Sequence, residues 1–488
     1  MLDYDLENRG ELSLYEFLYR SIKRDIESGV LASHEKLPSK RLFAQHLGVS
    51  LITIENAYAQ LVTEGYCYTK PRSGYYVSEL SFRNVSTSRG GGERERRTGY
   101  LSLYQQALTN NGTNDLSICP KSASTPFVFD LSRVDADPGM VAHVWGRALR
   151  SALSHESDGE LYGPQPAKGT LRLRCAVAQR LRQTRGIDVD PECIVIGAGS
   201  QLLDAALAQL LRSRGAVALE NPGYPRLVQI YQFAGLRVCP IGLDGEGIGM
   251  SALRASDANL VHIMPSHQFP TGIVTSITRR YELLAWANEA PGRYIVEDDY
   301  DASFRMSGRP VASLTSIDVT GHVIYTNTFS KSLGPALRMA FMVLPGELAE
   351  AWTERIGFYA NTVSVVDQIA LARMIETGDY ERHVNRYRKA QREVRDAFVD
   401  ELAPLVSAGR MRIEQADSGL HFVLAIEDAD EESVANAALE CGVRLAPMGE
   451  YALGELPRRA DARFAIQYGG LDAESARKAA RIIADCVG

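Results

Sequence analysis

The N-terminal part of the chain alternates between hydrophobic and polar positions at helical spacing. Apolar residues recur at steps of three and four over residues 12–28, which predicts an amphipathic helix ending at Gly29; the positions are Leu14, Phe17, Leu18, Ile22 and Ile26. Ser39 and Ser50 are favourable N-caps for two shorter helices, and a glycine follows each of these helices. Residues 66–77 alternate with period two around a Pro-Arg-Ser-Gly turn, which predicts a β-hairpin. Together these elements predict a helix-turn-helix followed by a wing.

The predicted helix-turn-helix is locally basic, although the whole chain is not. The formal net charge of −7 gives no general attraction to nucleic acid, so a DNA contact requires a local patch. We expect the cationic side chains here to contact phosphates, while hydroxyl groups of the third helix face the major groove. The candidate DNA-binding residues are Lys36, Ser39, Lys40, Arg41, Ser50, Thr53, Arg72 and Gly74. The alternative is a helix-turn-helix that serves only protein contacts.

Short runs across this segment resemble the winged helix-turn-helix of GntR-type bacterial regulators. The runs are Leu37-Pro-Ser-Lys-Arg41, Leu47-Gly-Val-Ser50, Thr53-Ile54, Ala57-Tyr58, Glu64-Gly65 and the wing glycine Gly74. The resemblance covers residues 12–79 and implies a DNA-binding domain. Leu51 stands where the family often has a basic residue, so we assign no base contact to it.

The composition of the chain changes after the wing. Residues 80–127 include the run Arg89-Gly-Gly-Gly-Glu-Arg-Glu-Arg-Arg97 and show no apolar periodicity, so we expect a flexible linker. The arginines of this segment could also add electrostatic affinity for DNA.

From residue 128 to residue 488, short β-rich runs alternate with helical patterns. The runs that predict strands are Cys193–Ile196, Ala216–Leu219, Leu260–Met264, Tyr294–Val296, Val323–Tyr325 and Ala340–Val343. This alternation favours an α/β domain with a mostly parallel sheet, whose ligands lie at the carboxyl ends of the strands. The candidate site residues follow directly after these runs.

A single lysine, Lys331, carries the chemistry predicted for this domain. It is surrounded in the chain by groups that suit a phosphate, namely Thr328, Ser330 and Arg338. A lysine beside an anion-binding cradle can hold pyridoxal 5′-phosphate as a Schiff base. Asp298 and Tyr300 point to one face if their segment is extended, and they suit the ring nitrogen and ring oxygen of that cofactor. The alternatives are a surface lysine and, for the acidic cluster, a divalent metal site.

Five longer runs resemble the fold-type-I aminotransferases, and more closely the MocR (GabR-like) regulators, in which a GntR-type winged helix is fused to such a domain. They are Leu161-Tyr-Gly-Pro-Gln-Pro-Ala-Lys-Gly-Thr-Leu-Arg172, Asn221-Pro-Gly-Tyr-Pro-Arg226, Pro265-Ser-His-Gln-Phe-Pro-Thr-Gly272, Glu297-Asp-Asp-Tyr-Asp301 and Asn327-Thr-Phe-Ser-Lys331. The resemblance covers residues 128–488 and implies a fold-type-I transferase-like domain that binds pyridoxal 5′-phosphate. It implies an internal aldimine at Lys331, with Asp298 on the ring nitrogen and Tyr300 on the ring oxygen.

The same resemblance implies roles for residues around the cofactor. Its phosphate would be held by Ser200, Gln201, Thr328, Ser330 and Arg338, with Tyr162 reaching in from the other subunit of a homodimer. Tyr224 would lie near the ring, and Arg226 would bind an effector carboxylate. Arg463 is the predicted α-carboxylate ligand, with Arg444 as the alternative.

One position departs from the ordinary aminotransferases. Phe269 replaces the asparagine that usually tunes the ring oxygen, with His267 or Gln268 as possible substitutes. This departure argues against efficient transamination.

These features predict a transcription regulator that senses an amino compound, or the cofactor itself, by aldimine exchange at Lys331 and binds double-stranded operator DNA. The alternatives are an active aminotransferase fused to a DNA-binding module and a large domain that serves only dimerisation. We expect a homodimer with no metal and no membrane partner. The dispersed cysteines, and a sequence without a leader or a membrane-spanning run, predict a cytoplasmic location.

Overall fold

The chain divides into two compact units, Met1–Pro120 and Lys121–Gly488. The computed structural model describes residues 4, 6, 12–70, 73–78, 128–133, 138–306, 311–417, 419–457 and 459–487. The predicted linker, residues 80–127, lies outside the described residues, as does the DNA-binding candidate Arg72.

The first unit contains the predicted winged helix-turn-helix. Its elements are α1 (Leu14–Glu27), α2 (Lys40–Leu47), α3 (Leu51–Thr63) and an antiparallel hairpin of β1 (Cys67–Lys70) and β2 (Gly74–Val77). The side-chain hydroxyls of Ser39 and Ser50 accept hydrogen bonds from the backbone N–H groups of Leu42 and Thr53, so both predicted N-caps are confirmed. The core consists of fully buried side chains from the helices, among them Leu18, Ile22, Phe43, Ile54, Tyr58 and Leu61.

The second unit is built on an eight-stranded sheet with the strand order β4-β11-β10-β9-β8-β5-β6-β7. Its strands are β4 (Ile194–Gly197), β5 (Ala216–Asn221), β6 (Arg237–Asp244), β7 (Gly247–Ile248), β8 (Leu260–Ile263), β9 (Tyr294–Asp298), β10 (Val323–Thr328) and β11 (Ala340–Val343). The neighbours from β10 to β6 run parallel, whereas β11 is antiparallel to β10 and β4. The predicted α/β class and mostly parallel sheet are therefore confirmed.

Helices cover both faces of this sheet. Val217 and Leu219 of β5 pack in one hydrophobic cluster, while Ala218 between them packs in another. Such a strand is buried on both faces, which explains its continuous apolar sequence. The described α-helices of the whole second unit, including those outside this sheet, are α4 (Pro138–His155), α5 (Asp158–Tyr162), α6 (Leu171–Arg185), α7 (Ser200–Leu210), α8 (Pro225–Phe233), α9 (Met250–Ala255), α10 (Ile277–Asn288), α11 (Leu314–Ile317), α12 (Ser330–Leu333), α13 (Gly346–Arg355), α14 (Val365–Glu376), α15 (Asp379–Ser407), α16 (Glu431–Glu440) and α17 (Ala473–Val487).

A smaller antiparallel sheet lies in the C-terminal part of this unit, with the order β12-β13-β15. Its strands are β12 (Met411–Glu414), β13 (His421–Ile426) and β15 (Ala462–Gln467), and a further parallel pair joins β3 (Phe129–Asp130) to β14 (Val443–Arg444). None of the helices in the described part of the chain is both long and apolar enough to cross a membrane.

Candidate cofactor and DNA sites

Lys331 lies on the short helix α12, directly after the central strand β10. Its Nζ is 5.7 Å from the centroid of the Tyr300 ring, so the two residues that the sequence predicts to act together are neighbours. Burial lowers the pKa of Lys331, while Asp301 and Asp298 act in the opposite direction and favour its charged form. A partly desolvated lysine is a better nucleophile at neutral pH than an exposed one.

Asp298 and Tyr300 lie at the carboxyl end of β9, which pairs with β10 so that Asp298 is opposite Thr326. The phenol oxygen of Tyr300 is buried and has no hydrogen-bond partner among the described residues. Burial raises the pKa of Tyr300 well above its usual value, and the carboxylates of Asp301 and Asp298 raise it further. A protonated, unpaired phenol beside Lys331 fits the expected contact with a cofactor ring oxygen.

One neighbour of Asp298, His262 on β8, was not predicted from the sequence. The Nε2 atom of His262 is 3.8 Å from a carboxylate oxygen of Asp298, and its Nδ1 atom is 2.8 Å from the hydroxyl of Tyr231. Burial opposes the charged form of His262, but Asp298 and Asp204 together raise its pKa. Asp298 therefore has a polar neighbour on the adjacent strand, and its carboxylate is placed to pair with a protonated ring nitrogen.

The predicted anion cradle lies at the N-terminus of α7. A Cβ atom added to Gly199, which has φ of +93°, would be 2.5 Å from a guanidinium nitrogen of Arg338, so Arg338 packs against the first turn of α7. Helix N-termini and arginine side chains both bind anions. The structure thus brings Arg338 and Ser200 together.

The other cradle candidates lie in the same region of the sheet. In the sheet register, Thr328 on β10 is opposite Ala340 on β11, and Ala340 is opposite Gly197 on β4. Gly197 directly precedes the turn that leads into α7. The hydroxyl of Thr328 accepts from the backbone N–H of Ser330, and the hydroxyl of Ser330 donates to a backbone carbonyl. Gln201 donates to the hydroxyl of Tyr224 at 3.0 Å, which links the cradle to the predicted ring neighbour.

The effector-binding candidates are less closely tied to Lys331. Arg226 is exposed on α8 and has no ion pair with a described residue, whereas Arg463 on β15 pairs with Glu414 and lies 3.6 Å from Asp461. Arg444 is exposed on β14. Tyr162 ends α5 with 71% of its surface exposed. The roles of these residues remain predictions.

Three carboxylates of the run from Glu297 to Asp301 bind three different residues. Glu297 contacts Arg280, Asp299 contacts Arg185 and Asp301 contacts His267, each through a separate pair. This divergence leaves no common centre for a metal among these carboxylates.

The turn around Phe269 explains why a nearby amide cannot replace the missing asparagine. The side chain of Gln268 is fully buried; it donates to the carbonyls of Pro222 and Phe269 and accepts from Thr271. Phe269 itself packs edge-on against Tyr224, His421 and Tyr451. The amide of Gln268 is therefore committed to its own turn.

The helix-turn-helix presents its candidate residues on an aromatic and basic surface. The ammonium groups of Lys36 and Lys70 lie 5.9 and 4.7 Å from the ring centroid of Tyr76 on the wing, and Arg41 is exposed. Lys40 pairs with Glu55 at 2.5 Å, which offsets part of its charge. The hydroxyls of Ser50 and Thr53 are 2.8 Å apart, and Gly74, with φ of +118°, begins β2.

Comparison with known families agrees with both units. Residues 14–77 match the bacterial regulatory proteins of the gntR family, and residues 133–483 match aminotransferase class I and II. The chain is 36% identical over 444 residues to the HTH-type transcriptional regulator YdeL of Bacillus subtilis, covering 90% of this chain and 89% of YdeL. It is 29% identical over 483 residues to MocR of Rhizobium meliloti, a probable rhizopine catabolism regulatory protein, covering 97% and 93% of the two chains. The chain belongs to the MocR-type transcriptional regulators.

Solved structures show the fold of the large unit of this MocR-type regulator. An archaeal alanine:glyoxylate aminotransferase matches with a TM-score of 0.64 at 21% identity, covering 81% of this chain and 95% of that protein. An aminotransferase of Thermococcus profundus matches with a TM-score of 0.65 at 21% identity, covering 80% and 98%. The predicted fold-type-I architecture and the N-terminal winged helix of this MocR-type regulator are confirmed.

Proposed function

We propose that this MocR-type regulator holds pyridoxal 5′-phosphate at Lys331 and that an amino compound, or the cofactor itself, controls its binding to operator DNA. The observation that supports the proposal is the meeting of Lys331 with the unpaired, buried phenol of Tyr300. When bound, the cofactor would supply an electrophilic carbon that primary amines attack.

Each side chain around Lys331 would have a distinct task. Asp298, with His262 behind it, would hold a proton on the ring nitrogen, and Tyr300 would donate its O–H to the ring oxygen. Arg338 and the N-terminus of α7 would neutralise the phosphate. The lowered pKa of Lys331 increases the fraction of free amine available to bind the cofactor.

Regulation requires two states that differ in free energy. The side chain of Lys331 would make different contacts when it holds the cofactor and when it is free, and this difference would favour one of two conformations. We further propose a homodimer in which the exposed Tyr162 completes the partner's cradle and two winged helices contact paired half-sites.

The Lys331→Ala variant tests this proposal. We expect the visible absorption band that pyridoxal 5′-phosphate gives with the wild-type protein to be absent, and the DNA-binding response to a panel of amines to be lost. Binding to a duplex from the region upstream of its own gene should persist, because the winged helix is unchanged. Lys478→Ala, which removes an exposed lysine of α17, is the control and should behave like wild type. An unchanged amine response in Lys331→Ala would contradict the proposal.

A second candidate function is aminotransferase activity. The combination of Lys331, Asp298 and Tyr300 favours it, whereas Phe269 in place of asparagine opposes it. Repeated turnover with an amino donor and a 2-oxo acid acceptor would support the enzyme, and a single half-reaction would support the regulator.

A further inference from the structure

The outer surface of helix α3, formed by Leu51, Ile52 and Asn56, carries aliphatic and amide side chains that the proposed function leaves without a role. Ile52 in the first turn leaves 67% of its surface exposed, and Leu51 beside it leaves 39%. Asn56, one turn further along the helix, is also exposed. Residues four apart in a helix lie on the same face, so Ile52 and Asn56 point outward together.

The packing of α3 fixes which side of the helix faces outward. Ile54, Tyr58 and Leu61 are fully buried in the core of the winged helix, and the hydroxyl of Tyr58 donates to the backbone carbonyl of Pro38 at 3.0 Å. These contacts hold the inner face of α3 against the rest of the unit. The outer surface is therefore available to a partner without any change in the fold.

Cationic side chains of the neighbouring elements border this outer surface. Lys40 at the start of α2 pairs with Glu55 of α3 at 2.5 Å, and its ammonium lies 5.8 Å from the ring centroid of Tyr75 on the wing. Arg41 follows Lys40 and is exposed. Cations beside exposed aliphatic groups suit a polyanion that has apolar groups of its own. Duplex DNA is such a partner, because its phosphates flank a major groove in which thymine methyl groups are exposed.

The composition of α3 indicates which bases it can read. None of its residues from Leu51 to Thr63 is an arginine or a lysine, the two side chains that bind O6 and N7 of guanine. The hydroxyls of Ser50 and Thr53 lie 2.8 Å apart and bond to each other. Aliphatic side chains contact the thymine methyl group, and asparagine bonds to N6 and N7 of adenine. The outer surface of α3 therefore suits A·T pairs.

We propose that α3 selects A·T base pairs in the major groove of the operator, with Ile52 and Leu51 against thymine methyl groups and Asn56 on adenine. The inference rests on the proposed binding to operator DNA, because it names the bases that this binding reads. The sequence alone assigns no base contact to Leu51, whereas its exposure beside Ile52 in the structure gives it one. The cations of α2 and the wing supply affinity through phosphates, and the outer surface of α3 supplies the choice of sequence.

The test removes the thymine methyl groups from the DNA and leaves the base pairing intact. Full-length protein first selects its binding site from a random duplex library, and the enriched duplex is then synthesised with deoxyuridine in place of every thymidine. Deoxyuridine pairs as thymidine does but lacks the C5 methyl group. We expect the wild type to bind the deoxyuridine duplex at least about fourfold more weakly, since burial of one methyl group contributes roughly that factor.

Variants of the outer surface show whether α3 is the element that senses the methyl groups. Ile52→Ala should bind the thymidine duplex more weakly, and the double variant with Leu51→Ala should bind both duplexes equally. Asn56→Ala should keep the methyl preference but become insensitive to 7-deazaadenine, which lacks the N7 acceptor. Val30→Ala removes an aliphatic side chain that is 69% exposed outside α3, so it is the control and should behave like wild type.

The outcomes separate this role of α3 from DNA binding as such. Equal affinity of the wild type for the thymidine and deoxyuridine duplexes would overturn the proposal, and this comparison needs no folded variant. An undiminished methyl preference in the folded double variant of Leu51 and Ile52 would also overturn it. Enrichment of a duplex without a methyl preference rejects only the role of α3, whereas a failure to enrich any duplex rejects the proposed DNA binding and this role together.

Discussion

The winged helix and the core of the large unit differ in how their ion pairs are exposed. In the winged helix, the pair Arg20–Glu16 leaves 60% and 34% of its side chains exposed, and several lysines lie over tyrosine rings at the surface. In the large unit, Arg280 and Glu297 are paired with no exposure at all. The first arrangement keeps cations accessible to a polyanion, whereas the second fixes the segment that carries Asp298 and Tyr300.

This difference predicts where a single change of charge will matter. Exposed ion pairs contribute little to stability because water and salt screen them. Loss of one partner from a buried pair leaves the other charge without compensation. Charge changes at the buried pairs of the large unit should therefore act on folding, and those on the exposed surface of the winged helix on binding.

Glu297→Gln should produce the largest effect. Glu297 accepts hydrogen bonds from the backbone N–H groups of Leu314 and Thr315 and faces Arg280, so the substitution leaves a buried guanidinium without its counter-charge. We expect the free energy of unfolding of the large unit to fall by about 3–5 kcal/mol. Denaturant unfolding followed by tryptophan fluorescence measures this unit specifically, because the three tryptophans of the chain, Trp145, Trp286 and Trp352, all lie in it.

Glu474→Gln is the matched control for this measurement. It disrupts the exposed pair of Glu474 with Lys478 on α17, four residues apart, and should change the same free energy by less than about 0.5 kcal/mol. Equal losses in the two variants would mean that burial does not distinguish the ion pairs.

The Asp204→Asn variant tests whether the buried carboxylate of Asp204 lowers the free energy of unfolding at high pH. Asp204 on α7 is 3% exposed, and burial raises its pKa to about 7. Because this folded-state pKa is above the unfolded value, the carboxyl group stabilises the fold at low pH, and that stability is lost as the pH rises through about 7. Above pH 8 we expect the variant to be more stable than wild type by roughly 2–4 kcal/mol, with the difference shrinking toward pH 5.

The reference for this pH series is Asp244→Asn. Burial opposes ionisation of Asp244, but Arg279 lowers its pKa below the usual value, so its contribution to stability is present throughout the neutral range and is lost only in acid. Its stability difference from wild type should be constant between pH 5 and pH 8. A constant difference for Asp204→Asn as well would show that Asp204 is ionised at neutral pH.

The sequence was sufficient for features that depend on local spacing. The two N-cap serines, the wing and the strand runs depend on neighbours in the chain, and the alternation of Asp298 and Tyr300 placed the phenol beside Lys331. The pairs His262–Asp298 and His267–Asp301 could not be predicted, because they join residues brought together only by the order of β8, β9 and β10. The pairing of Arg463 with Glu414 escaped prediction for the same reason, since it crosses the small sheet from β15 to β12.

Substitutions of Ser50 should have the smallest effect on stability. Two of them together separate the folding of the winged helix from its DNA binding. Its hydroxyl caps α3 by accepting from the backbone N–H of Thr53 at 3.1 Å, so Ser50→Ala should cost about 1 kcal/mol. Amide hydrogen exchange in α3 should accelerate by about fivefold as a result.

Ser50→Asp distinguishes the cap from a contact with DNA. A carboxylate caps a helix as well as a hydroxyl does and favours the positive N-terminus, so hydrogen exchange in α3 should remain at the wild-type rate. If Ser50 faces the DNA, the added negative charge will repel the phosphates, and affinity for the duplex should fall most strongly at low salt. Normal DNA affinity in Ser50→Asp would restrict Ser50 to its structural role. In that case the exposed Lys36, Arg41 and Lys70 would have to provide the DNA contacts.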